Sequence, residues 1–366
     1  MRISPSVSKR FRHDLPAWFS DNRRDLPWRK NRSPYHVWIS ELMLQQTRAD
    51  QATPYFIKFI KRFPTLESLA AARQSEALKM WEGLGYYSRA RRAHATARHL
   101  VEHNHARFPT DYQGLLALPG VGPYTAAAIA SLAFNLDYAV LDGNVIRVIT
   151  RVFAVDEDSD RPVVRKKLQS ILDDLLPKGR SGEFNEAMME LGALVCSPAN
   201  PACNVCPLAP VCKARKTGNP AMYPVRTPRK SIPHRHVGAG VIINDSGQIL
   251  IAQRKESSML GGLWEFPGGG VERGESLPEC IRRELKEELN LNVRVGPHLI
   301  TVRHTFSHFR MDLHAYWVRV TSGKPKPIGC ADFAWVTAKQ IDEYALPRAD
   351  QKILNALLNC KNWPEF

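Results

Sequence analysis

The feature that most constrains this chain is the segment Leu118–Tyr124, in which Gly120 and Gly122 flank a single valine. Apolar residues at helical spacing run into this segment and out of it. Pro123 suits the first turn of the second helix, because the N–H that proline lacks is not used there. The pattern predicts two helices joined by a turn with little room for side chains. The second helix would present free N–H groups and a positive dipole end, which suit a phosphate, although the Gly-x-Gly pattern alone favours glycines that serve packing.

The overall charge favours an acidic polymer as the partner. The 366 residues include 51 Lys and Arg against 36 Asp and Glu, which gives a net charge of +15. Such a surplus favours nucleic acid over a role in solubility alone. The apolar run 126–134 is far too short to span a bilayer, and the N-terminal residues 1–5 contain no apolar signal core. We therefore expect a cytoplasmic protein without a membrane partner, and a monomer.

The periodicity of the apolar residues changes along the chain. Up to residue 214 it predicts helices only, whereas residues 215–236 form a basic, proline-rich linker. Residues 237–366 show strand patterns around one amphipathic helix. We therefore predict a multi-domain protein, with an all-α domain over residues 1–214 followed by an α+β domain over residues 237–366.

The α+β domain contains several predicted elements. Residues 237–243 and 249–252 are predicted to pair as a β-hairpin across an Asn-Asp-Ser-Gly turn. Further strands are predicted around residues 299–306 and 311–320, and a helix over residues 277–289.

Four of the seven cysteines lie within 17 residues: Cys196, Cys203, Cys206 and Cys212. Disulfides are not expected in a cytoplasmic protein. A Cys-x2-Cys pair flanked by two further cysteines indicates a metal-binding loop, and four thiolates could hold zinc or an iron–sulfur cluster. The outer separations of six and five residues differ from those of common zinc ribbons, but they do not decide between the two metals.

Two carboxylates could act as an acid–base pair. Glu41 lies in an apolar helical segment over residues 35–46, where loss of hydration would raise its pKa and allow general acid catalysis near neutral pH. It could also simply reach solvent or an arginine. Asp142 would be the N-cap of the next helix, whose dipole would keep it ionised. One raised and one ionised carboxylate suit the hydrolysis of a glycosidic bond, provided that both face one cleft.

A third pattern lies in the α+β domain, where residues 269–291 follow Gly-x5-Glu-x7-Arg-Glu-Leu-x-Glu-Glu-x-Asn-Leu. Glu284, Glu287 and Glu288 would share one face of a helix and could bind Mg²⁺ and a pyrophosphate. The spacing alone favours an acidic surface helix paired with neighbouring basic residues.

Taken together, these motifs resemble those of the helix-hairpin-helix DNA glycosylases of the endonuclease III group, and within it the MutY family of adenine DNA glycosylases. The resemblance extends over nearly the whole chain, because residues 237–366 resemble the Nudix-like domain by which this family recognises 8-oxoguanine. The motifs are Leu26–Arg29, Ser40–Thr47, Gly83–Tyr87, Leu118–Gly122, Leu141–Asn144, Asn185-Glu186 and the cysteine spacing.

The resemblance implies a hydrolase of base excision repair that flips and removes adenine paired with 8-oxoguanine or guanine in double-stranded DNA. Glu41 would protonate the adenine, and Asp142 would stabilise or trap the oxocarbenium-like sugar. Tyr124 and Asn144 would support both. The residues implied in substrate binding are Trp28, Arg29 and Glu186 at the adenine, Gln46 and Tyr86 within the helix at the lesion, Gly120 and Gly122 at a phosphate, and Phe306, Ser307 and His308 at 8-oxoguanine.

The resemblance also implies cofactors. The four clustered cysteines would hold a [4Fe–4S] cluster, and the carbonyls of the glycine turn could bind a monovalent cation. In this family the Nudix-like domain is a reader of the lesion, and here Asn290 replaces an expected glycine. We therefore favour a retained helix without hydrolase activity and expect no Mg²⁺ at Glu284, Glu287 and Glu288.

Tyr124 separates base removal from strand cleavage. Relatives that also cleave the strand have a lysine at this position, and tyrosine has no amine to form a Schiff base. The chain is therefore predicted to be monofunctional. The alternatives are a bifunctional glycosylase/lyase of the endonuclease III type, a fusion that retains Nudix pyrophosphatase activity, and a non-catalytic sensor of DNA damage. The last two would leave Glu41 and Asp142 unexplained.

Overall fold

The computed structural model describes residues 3–228, 231–360 and 364. It divides into two compact units, of which the first comprises Met1–Ala71 and Ala95–Arg229 and the second comprises Ala72–His94 and Lys230–Phe366. Two residues of the predicted linker, 229 and 230, lie outside the described residues. So do residues 1–2 of the predicted helical domain and residues 361–363 and 365–366 of the predicted α+β domain. No helix in the described ranges is long and apolar enough to cross a membrane.

The described chain up to residue 216 forms helices and no strand, as predicted. Arg10–Asp14 forms a π-helical turn between the first two helices, and α8 begins in the second unit and ends in the first. The helices are α1 (Pro5–Lys9), α2 (Leu15–Asn22), α3 (Pro27–Lys30), α4 (Pro34–Leu44), α5 (Ala49–Arg62), α6 (Leu66–Ala71), α7 (Gln74–Met80), α8 (Ser88–His103), α9 (Tyr112–Ala117), α10 (Pro123–Leu132), α11 (Gly143–Phe153), α12 (Pro162–Leu175), α13 (Ser181–Leu194) and α14 (Lys213–Lys216). Short 3-10 turns lie before and after α14, at Ala209–Val211 and Pro220–Met222.

Helix α4 begins as its sequence predicts. The Ser33 side chain accepts a hydrogen bond from the N–H of His36 over 3.3 Å, and Pro34 occupies the first helical position. The helix is buried along most of its length, as an apolar surface on every side requires. It ends at Leu44, two residues earlier than predicted, because Gln45 leaves the helical conformation with a ψ of 111° and Gln46 then adopts a left-handed backbone with a φ of 58°.

The glycine turn joins α9 to α10, and its two glycines differ. Gly120 has a φ of 75°, which favours glycine. Gly122 is the extended N-cap of α10 with a φ of −95°, and a Cβ added there would meet nothing within 4 Å. The sequence predicts little room for a side chain at either glycine. This prediction is wrong for Gly122, which lies at the exposed start of α10 with open space around it.

The core of the first unit forms where α11, α12 and α13 meet. Ile149 of α11, Leu168 of α12 and Leu191 of α13 are fully buried in one apolar cluster, and each such side chain stabilises the fold by about 1.5–3 kcal/mol. This packing fixes the starts of α11 and α13, which carry candidate site residues.

The second unit has α+β structure, as predicted, with strands in two sheets. One sheet has the strand order β4-β1-β6-β5, and the other has the order β3-β2-β7. Helix α15 has the predicted bounds, and Gln340–Glu343 forms a 3-10 turn. The elements are β1 (His234–Ile242), β2 (Ile249–Gln253), β3 (Trp264–Glu265), β4 (Gly268–Gly270), α15 (Leu277–Leu289), β5 (Asn292–Thr305), β6 (Arg310–Ser322), β7 (Asp332–Val336) and α16 (Arg348–Leu358).

The predicted hairpin between the first two strands is wrong. β1 pairs with β4 on one side and, in parallel, with β6 on the other, so that both of its edges are occupied. β2 therefore joins the other sheet, and a single bridge between Ile243 and Ile249 connects the two segments. β1 also starts at His234, so the last residues of the predicted linker, 234–236, belong to the sheet.

Candidate active site

Glu41 is a buried carboxylic acid on α4, and only 4% of its surface is exposed. Tyr124, the second residue of α10, donates its hydroxyl to Glu41 Oε2 over 2.6 Å. Burial raises the pKa of Glu41 to about 7; the charges of Asp142 and Glu186 also raise it, whereas the hydrogen bond from Tyr124 lowers it. This is the direction predicted from the apolar helix. The group can therefore hold and release a proton near neutral pH.

Asp142 is the N-cap of α11 and lies half-buried. Its Oδ1 accepts a hydrogen bond from the N–H of Val145 over 2.7 Å, and its Oδ2 accepts one from Asn144 Nδ2 over 2.9 Å. Burial raises the pKa of Asp142 above its ordinary value, against these hydrogen bonds and the charge of Arg147. The sequence argument considered the helix dipole alone and therefore missed the cost of burial. The charges of Glu41 and Asp142 both raise the pKa of Tyr124, so the three groups lie close enough to form one site.

Arg29 belongs to an ion-pair network with two glutamates of α13. Its Nε donates to Glu186 Oε1 over 3.1 Å, and its two terminal nitrogens donate to Glu190 over 3.2 and 3.0 Å. Arg24 also pairs with Glu190, and Arg32 pairs with Glu186. Burial opposes the ionisation of Glu190, but Arg24 and Arg29 lower its pKa to about 2. The sequence analysis missed Arg24, Arg32 and Glu190. The i, i+4 spacing of Glu186 and Glu190 could have indicated that both glutamates share one face of α13.

Trp28, predicted beside Arg29 in the pocket, is 8% exposed. Its ring contacts that of Phe56 edge-on, with centroids 5.5 Å apart. The guanidinium of Arg29 lies 5.2 Å from the centre of the Phe19 ring. Both side chains are therefore held by aromatic packing, which fixes the orientation of Arg29 toward α13.

Gln46 and Tyr86 share an uncommon backbone conformation. Their φ angles are 58° and 49°, in the left-handed region that residues other than glycine rarely adopt. Both side chains are exposed, Gln46 in the turn after α4 and Tyr86 in the turn before α8. Gln46 belongs to the first unit and Tyr86 to the second. Backbone strain of this kind is often found at functional sites.

The predicted recognition residues of the second unit lie in the turn between β5 and β6. The N–H of Phe306 donates to the carbonyl of Phe309 over 2.9 Å, and the two rings stack with centroids 4.7 Å apart. Ser307 and His308 are exposed, with Ser307 Oγ 3.4 Å from His308 Nδ1. The turn therefore presents a hydroxyl and an imidazole, whereas Phe306 packs against the core.

Two of the three predicted carboxylates of α15, those of Glu284 and Glu287, form ion pairs with Arg283. Arg283 bonds to Glu275 over 2.9 Å, to Glu284 over 2.9 Å and to Glu287 over 3.2 Å. Burial raises the pKa of Glu288 to about 8. Asn290 ends the helix in the left-handed conformation with a φ of 57°, which asparagine tolerates, so it serves where a glycine was expected.

The four clustered cysteines line one cavity together with Arg151 and mainly apolar residues. Arg151, a fully buried residue of α11, donates to Cys196 Sγ over 3.3 Å and to the carbonyls of Ser197 and Pro198 over 2.7 and 2.6 Å. Four cysteine sulfur atoms thus surround one cavity, and one of them accepts a hydrogen bond from a buried guanidinium. The donor set is therefore that of a metal centre bound by sulfur.

Comparison with known proteins decides the family. A model of the HhH-GPD superfamily of base excision DNA repair proteins matches residues 39–174, and a NUDIX domain model matches residues 238–356. The adenine DNA glycosylase of Rattus norvegicus is 34% identical over 396 residues, which cover 94% of this chain and 77% of that protein. The chain belongs to the adenine DNA glycosylase family.

Solved structures agree with this fold over part of the chain. A thermostable thymine-DNA glycosylase superposes with a TM-score of 0.53 and 31% identity, over 58% of this chain and 98% of that chain. Endonuclease III in a trapped covalent intermediate with DNA superposes with a TM-score of 0.52 and 22% identity, over 60% of this chain and 99% of that chain. The family resemblance and the fold class predicted from the sequence, a helix-hairpin-helix domain followed by an α+β Nudix-like domain, are thereby confirmed.

Hydrogen bonds connect Asp142 to the segment that carries the four clustered cysteines, residues 196–212 (the cysteine loop). Asn144 donates to Asp142, and Arg147 donates to Asn144 Oδ1 over 2.7 Å. The Nε of Arg147 also donates to the carbonyl of Cys196 over 2.6 Å. Sequence reasoning missed Arg147, although its i, i+4 spacing with Arg151 on α11 could have marked a common face toward the loop.

Gly192 allows α13 to approach α11 at Asn144. A Cβ added to Gly192 would lie 2.5 Å from Asn144 Cβ and 3.0 Å from its Cα. The carbonyl of Gly192 also accepts a hydrogen bond from Arg147 over 2.7 Å. Gly192 therefore sets the position of the Asn144 backbone, and through it the position of Asp142.

We expect Gly192→Ala to reduce the excision rate by about 10²-fold, because a displacement of about 1 Å at a reacting group costs that much. The melting temperature should also fall, since overpacking of this kind costs roughly 1–3 kcal/mol. Single-turnover kinetics and thermal melts would measure both. Gly270→Ala is the matched control, because its added carbon would meet nothing within 4 Å. A Gly192→Ala variant with the wild-type rate would contradict the positioning role.

Proposed function

We propose that this chain is a monofunctional adenine DNA glycosylase that removes adenine opposite 8-oxoguanine or guanine from double-stranded DNA. The observation that carries the proposal is the buried pair of Glu41 and Tyr124 beside Asp142, in a chain of the adenine DNA glycosylase family. It combines an acid whose pKa is about 7 with a second carboxylate at a helix start. The hydrolysis of a glycosidic bond uses two carboxylates of this kind.

DNA would be held through its backbone. The chain carries a net charge of +15, and the first N–H groups of α10 follow the exposed Gly122. A side chain at position 122 would meet nothing within the protein, so glycine there leaves room for a phosphate to approach the helix start. The carbonyls of the same turn could take a monovalent cation. The target nucleotide would leave the stack, because its glycosidic bond cannot be reached inside a duplex.

The chemistry follows from the two carboxylates. Glu41, protonated in part at neutral pH, donates its proton to the adenine ring and turns the base into a neutral leaving group. The C–N bond breaks with its electron pair on the base, and the positive charge that develops on the sugar faces the carboxylate of Asp142. Water then adds to the sugar carbon and loses a proton, which leaves free adenine and an abasic site.

The adenine pocket would be formed by α13 and the segment around α3. Arg29 and Arg32 hold the carboxylate of Glu186, which offers acceptor oxygens for an amino group. Trp28, whose ring packs against Phe56, would line the pocket beside Arg29. Gln46 would enter the DNA helix at the lesion from the strained turn after α4, and Tyr86 would do so from the second unit.

Tyr124 supports a reaction without strand cleavage. Burial raises its pKa well above the ordinary value, so the group is a neutral phenol that donates to Glu41. A lyase reaction would need an amine at this position to attack the sugar carbon. The bifunctional alternative therefore lacks its nucleophile at this residue.

The second unit would read the base opposite adenine. Ser307 and His308 are exposed at the tip of the β5–β6 turn, where a hydroxyl could hydrogen-bond to 8-oxoguanine. Nucleotide hydrolysis by α15 is less favoured, because Arg283 already pairs with Glu275, Glu284 and Glu287.

A [4Fe–4S] cluster fits the residues of the cysteine loop. Cys196, Cys203, Cys206 and Cys212 line one cavity, and they would be the four ligands. When bound, the cluster would cross-link the loop. Arg147 and Arg151 of α11 both donate hydrogen bonds to Cys196 and so connect the loop to this helix.

Single-turnover assays on matched duplexes test the proposal. We expect adenine release from A opposite 8-oxoguanine and from A opposite guanine, with strand breaks only after alkali. A duplex with T opposite G should remain intact; it is included because the thymine-DNA glycosylase is a structural neighbour. Absence of adenine release would overturn the function, and strand breaks without alkali would overturn the monofunctional reaction.

Ser307→Ala tests the reading of 8-oxoguanine. Loss of one hydrogen bond of about 0.5–1.5 kcal/mol should reduce the preference for A opposite 8-oxoguanine over A opposite guanine by about 3- to 10-fold. The ratio of single-turnover rate constants at subsaturating enzyme measures this preference. Ser246→Ala, which also changes an exposed serine of the second unit, is the control. An unchanged ratio would contradict the assignment of Ser307.

The pH dependence tests the role of Glu41. A general acid acts while protonated, so the excision rate should be highest below pH 7 and fall as the pH rises through about 7. The hydrogen bond from Tyr124 lowers the pKa of Glu41, so Tyr124→Phe should shift this fall to higher pH by about one unit. Tyr112→Phe, at a tyrosine that stacks on Tyr138, is the control. A shift toward lower pH would contradict the assignment.

A further inference from the structure

Histidines gather on one face of the β4-β1-β6-β5 sheet. Alternate residues of a strand face the same side of the sheet, so residues 234 and 236 of β1 share one face, as do residues 312 and 314 of β6. The parallel register places His236 opposite Asp312, so both pairs lie on the same face. Further along this face of β1, Gly238 and Gly240 lie under Ile281 and Leu285 of α15. The histidine end of the face is not covered in this way, since His234 and His236 are exposed.

Three ligand atoms converge there. One atom each from His236, Asp312 and His314 lies within 4.8 Å of the other two. His236 Nδ1 and His314 Nε2 are 3.1 Å apart, close to the separation of about 3.3 Å between two nitrogens on one tetrahedral zinc ion. His234 Nε2 lies 3.3 Å from Asp312 Oδ1, so a fourth ligand is within reach.

A supporting hydrogen bond orients His314. Its Nδ1 lies 3.0 Å from Thr301 Oγ1 on β5, the residue that pairs with it across the sheet. When this nitrogen donates to Thr301, the Nε2 toward His236 carries a free lone pair, which is the form that binds a metal. Thr301 Oγ1 also lies 2.8 Å from His298 Nε2. Metal-bound histidines commonly have a second partner of this type on the other ring nitrogen.

We propose that His236, Asp312 and His314 form a binding site for a divalent transition metal ion, with Zn²⁺ as the expected occupant and Thr301 as the residue that orients His314. Two imidazoles and one carboxylate suit Zn²⁺, whereas Mg²⁺ prefers an all-oxygen environment. This site lies apart from Glu41 and the cysteine loop in sequence and belongs to the second unit. The distances between its ligand atoms do not depend on whether the chain excises adenine.

The metal ion would hold the start of β1 against β6. β1 and β6 are far apart in sequence and pair in parallel, and His236 lies near the first residue of β1. An ion that bonds to both strands would hold this end of β1, which follows the linker, against β6. Because the ion would bind the folded chain alone, it would stabilise the second unit by an amount that rises with the logarithm of the metal concentration above the dissociation constant.

Equilibrium dialysis of the full chain against buffered Zn²⁺, followed by elemental analysis of zinc and iron, tests the proposal. We expect one zinc per chain in addition to unchanged iron. The double variant His236→Gln/His314→Gln should lose this zinc and keep its iron. Thr301→Val should keep the site but weaken it by roughly 10-fold, as the loss of a supporting partner does. Millimolar Mg²⁺ should not displace the zinc.

The matched control is His99→Gln/His103→Gln. It removes another pair of neighbouring histidines, whose rings lie 4.7 Å apart on α8, and should leave the zinc content unchanged. Zinc that persists in His236→Gln/His314→Gln would overturn the proposal, as would zinc that replaces iron, zinc displaced by Mg²⁺, or no bound zinc in the wild type. Circular dichroism of each variant verifies folding, and Thr301→Val tests the site without removing a ligand.

Discussion

Replacing Glu41 with glutamine is expected to abolish adenine excision while DNA binding is retained. The side chain keeps its size and can still accept the hydrogen bond from Tyr124, but it carries no acidic proton. Loss of a general acid costs about 10²–10⁴-fold in rate. Single-turnover excision from A opposite 8-oxoguanine measures the loss, and a gel-shift titration with the same duplex measures binding.

The same substitution should stabilise the fold at alkaline pH. The pKa of Glu41 is about 7 in the folded chain against an ordinary value of 4.5, so folding favours the protonated acid. Its contribution is fully present below pH 4.5 and is lost as the pH rises through 7, where the ionised side chain costs roughly 3 kcal/mol. Glu41→Gln removes this cost. Its melting temperature should therefore exceed that of the wild type at pH 8 and match it near pH 4.5.

Glu67→Gln is the control for both measurements, since Glu67 is an exposed glutamate of the same unit. It should leave the excision rate and the melting temperature unchanged. A Glu41→Gln variant that excises adenine normally would contradict the role of Glu41 as the acid. A variant that is less stable than the wild type at pH 8 would contradict the buried, raised pKa.

The sequence predicted those features that depend on neighbouring residues. The apolar surface of α4 on every side indicated that Glu41 is buried, and the Ser-Pro pair at its start indicated the helix boundary. The bounds of α15 followed from its amphipathic pattern, and the structure adds a capping box of Ser276 and Glu279 at its start. Local features of this kind are encoded by residues within one or two helical turns of each other.

Features that depend on distant partners were missed or wrong. The predicted hairpin of β1 and β2 failed because β6, some 70 residues away in sequence, competes for the edge of β1. The contact of Gly192 with Asn144 depends on the crossing of two helices, which no local pattern specifies. The raised pKa of Asp142 was missed for the same reason, since burial is a property of the packed chain.

The second large effect is expected for Asp142→Asn, which separates the charge of Asp142 from its role as a helix cap. Asparagine caps helices as well as aspartate does, so its side-chain oxygen can still accept from the N–H of Val145 and α11 should persist. The negative charge that would face the developing cation on the sugar is lost. We expect excision to fall by about 10²–10³-fold or more, as it does when an electrostatic partner of a transition state is removed.

Asp111→Asn provides the matched control for this substitution. Asp111 is also an N-cap, and its side chain accepts a hydrogen bond from the N–H of Gly114 over 2.9 Å at the start of α9. The two variants make the same chemical change at the same kind of helix position, but burial raises the pKa of Asp142, so Asp142→Asn should melt no lower than Asp111→Asn at neutral pH. Only Asp142→Asn should lose single-turnover excision while it still binds the 8-oxoguanine duplex. Equal activity of the two would show that Asp142 serves as a cap alone, and the proposed stabilisation of the sugar cation would then be wrong.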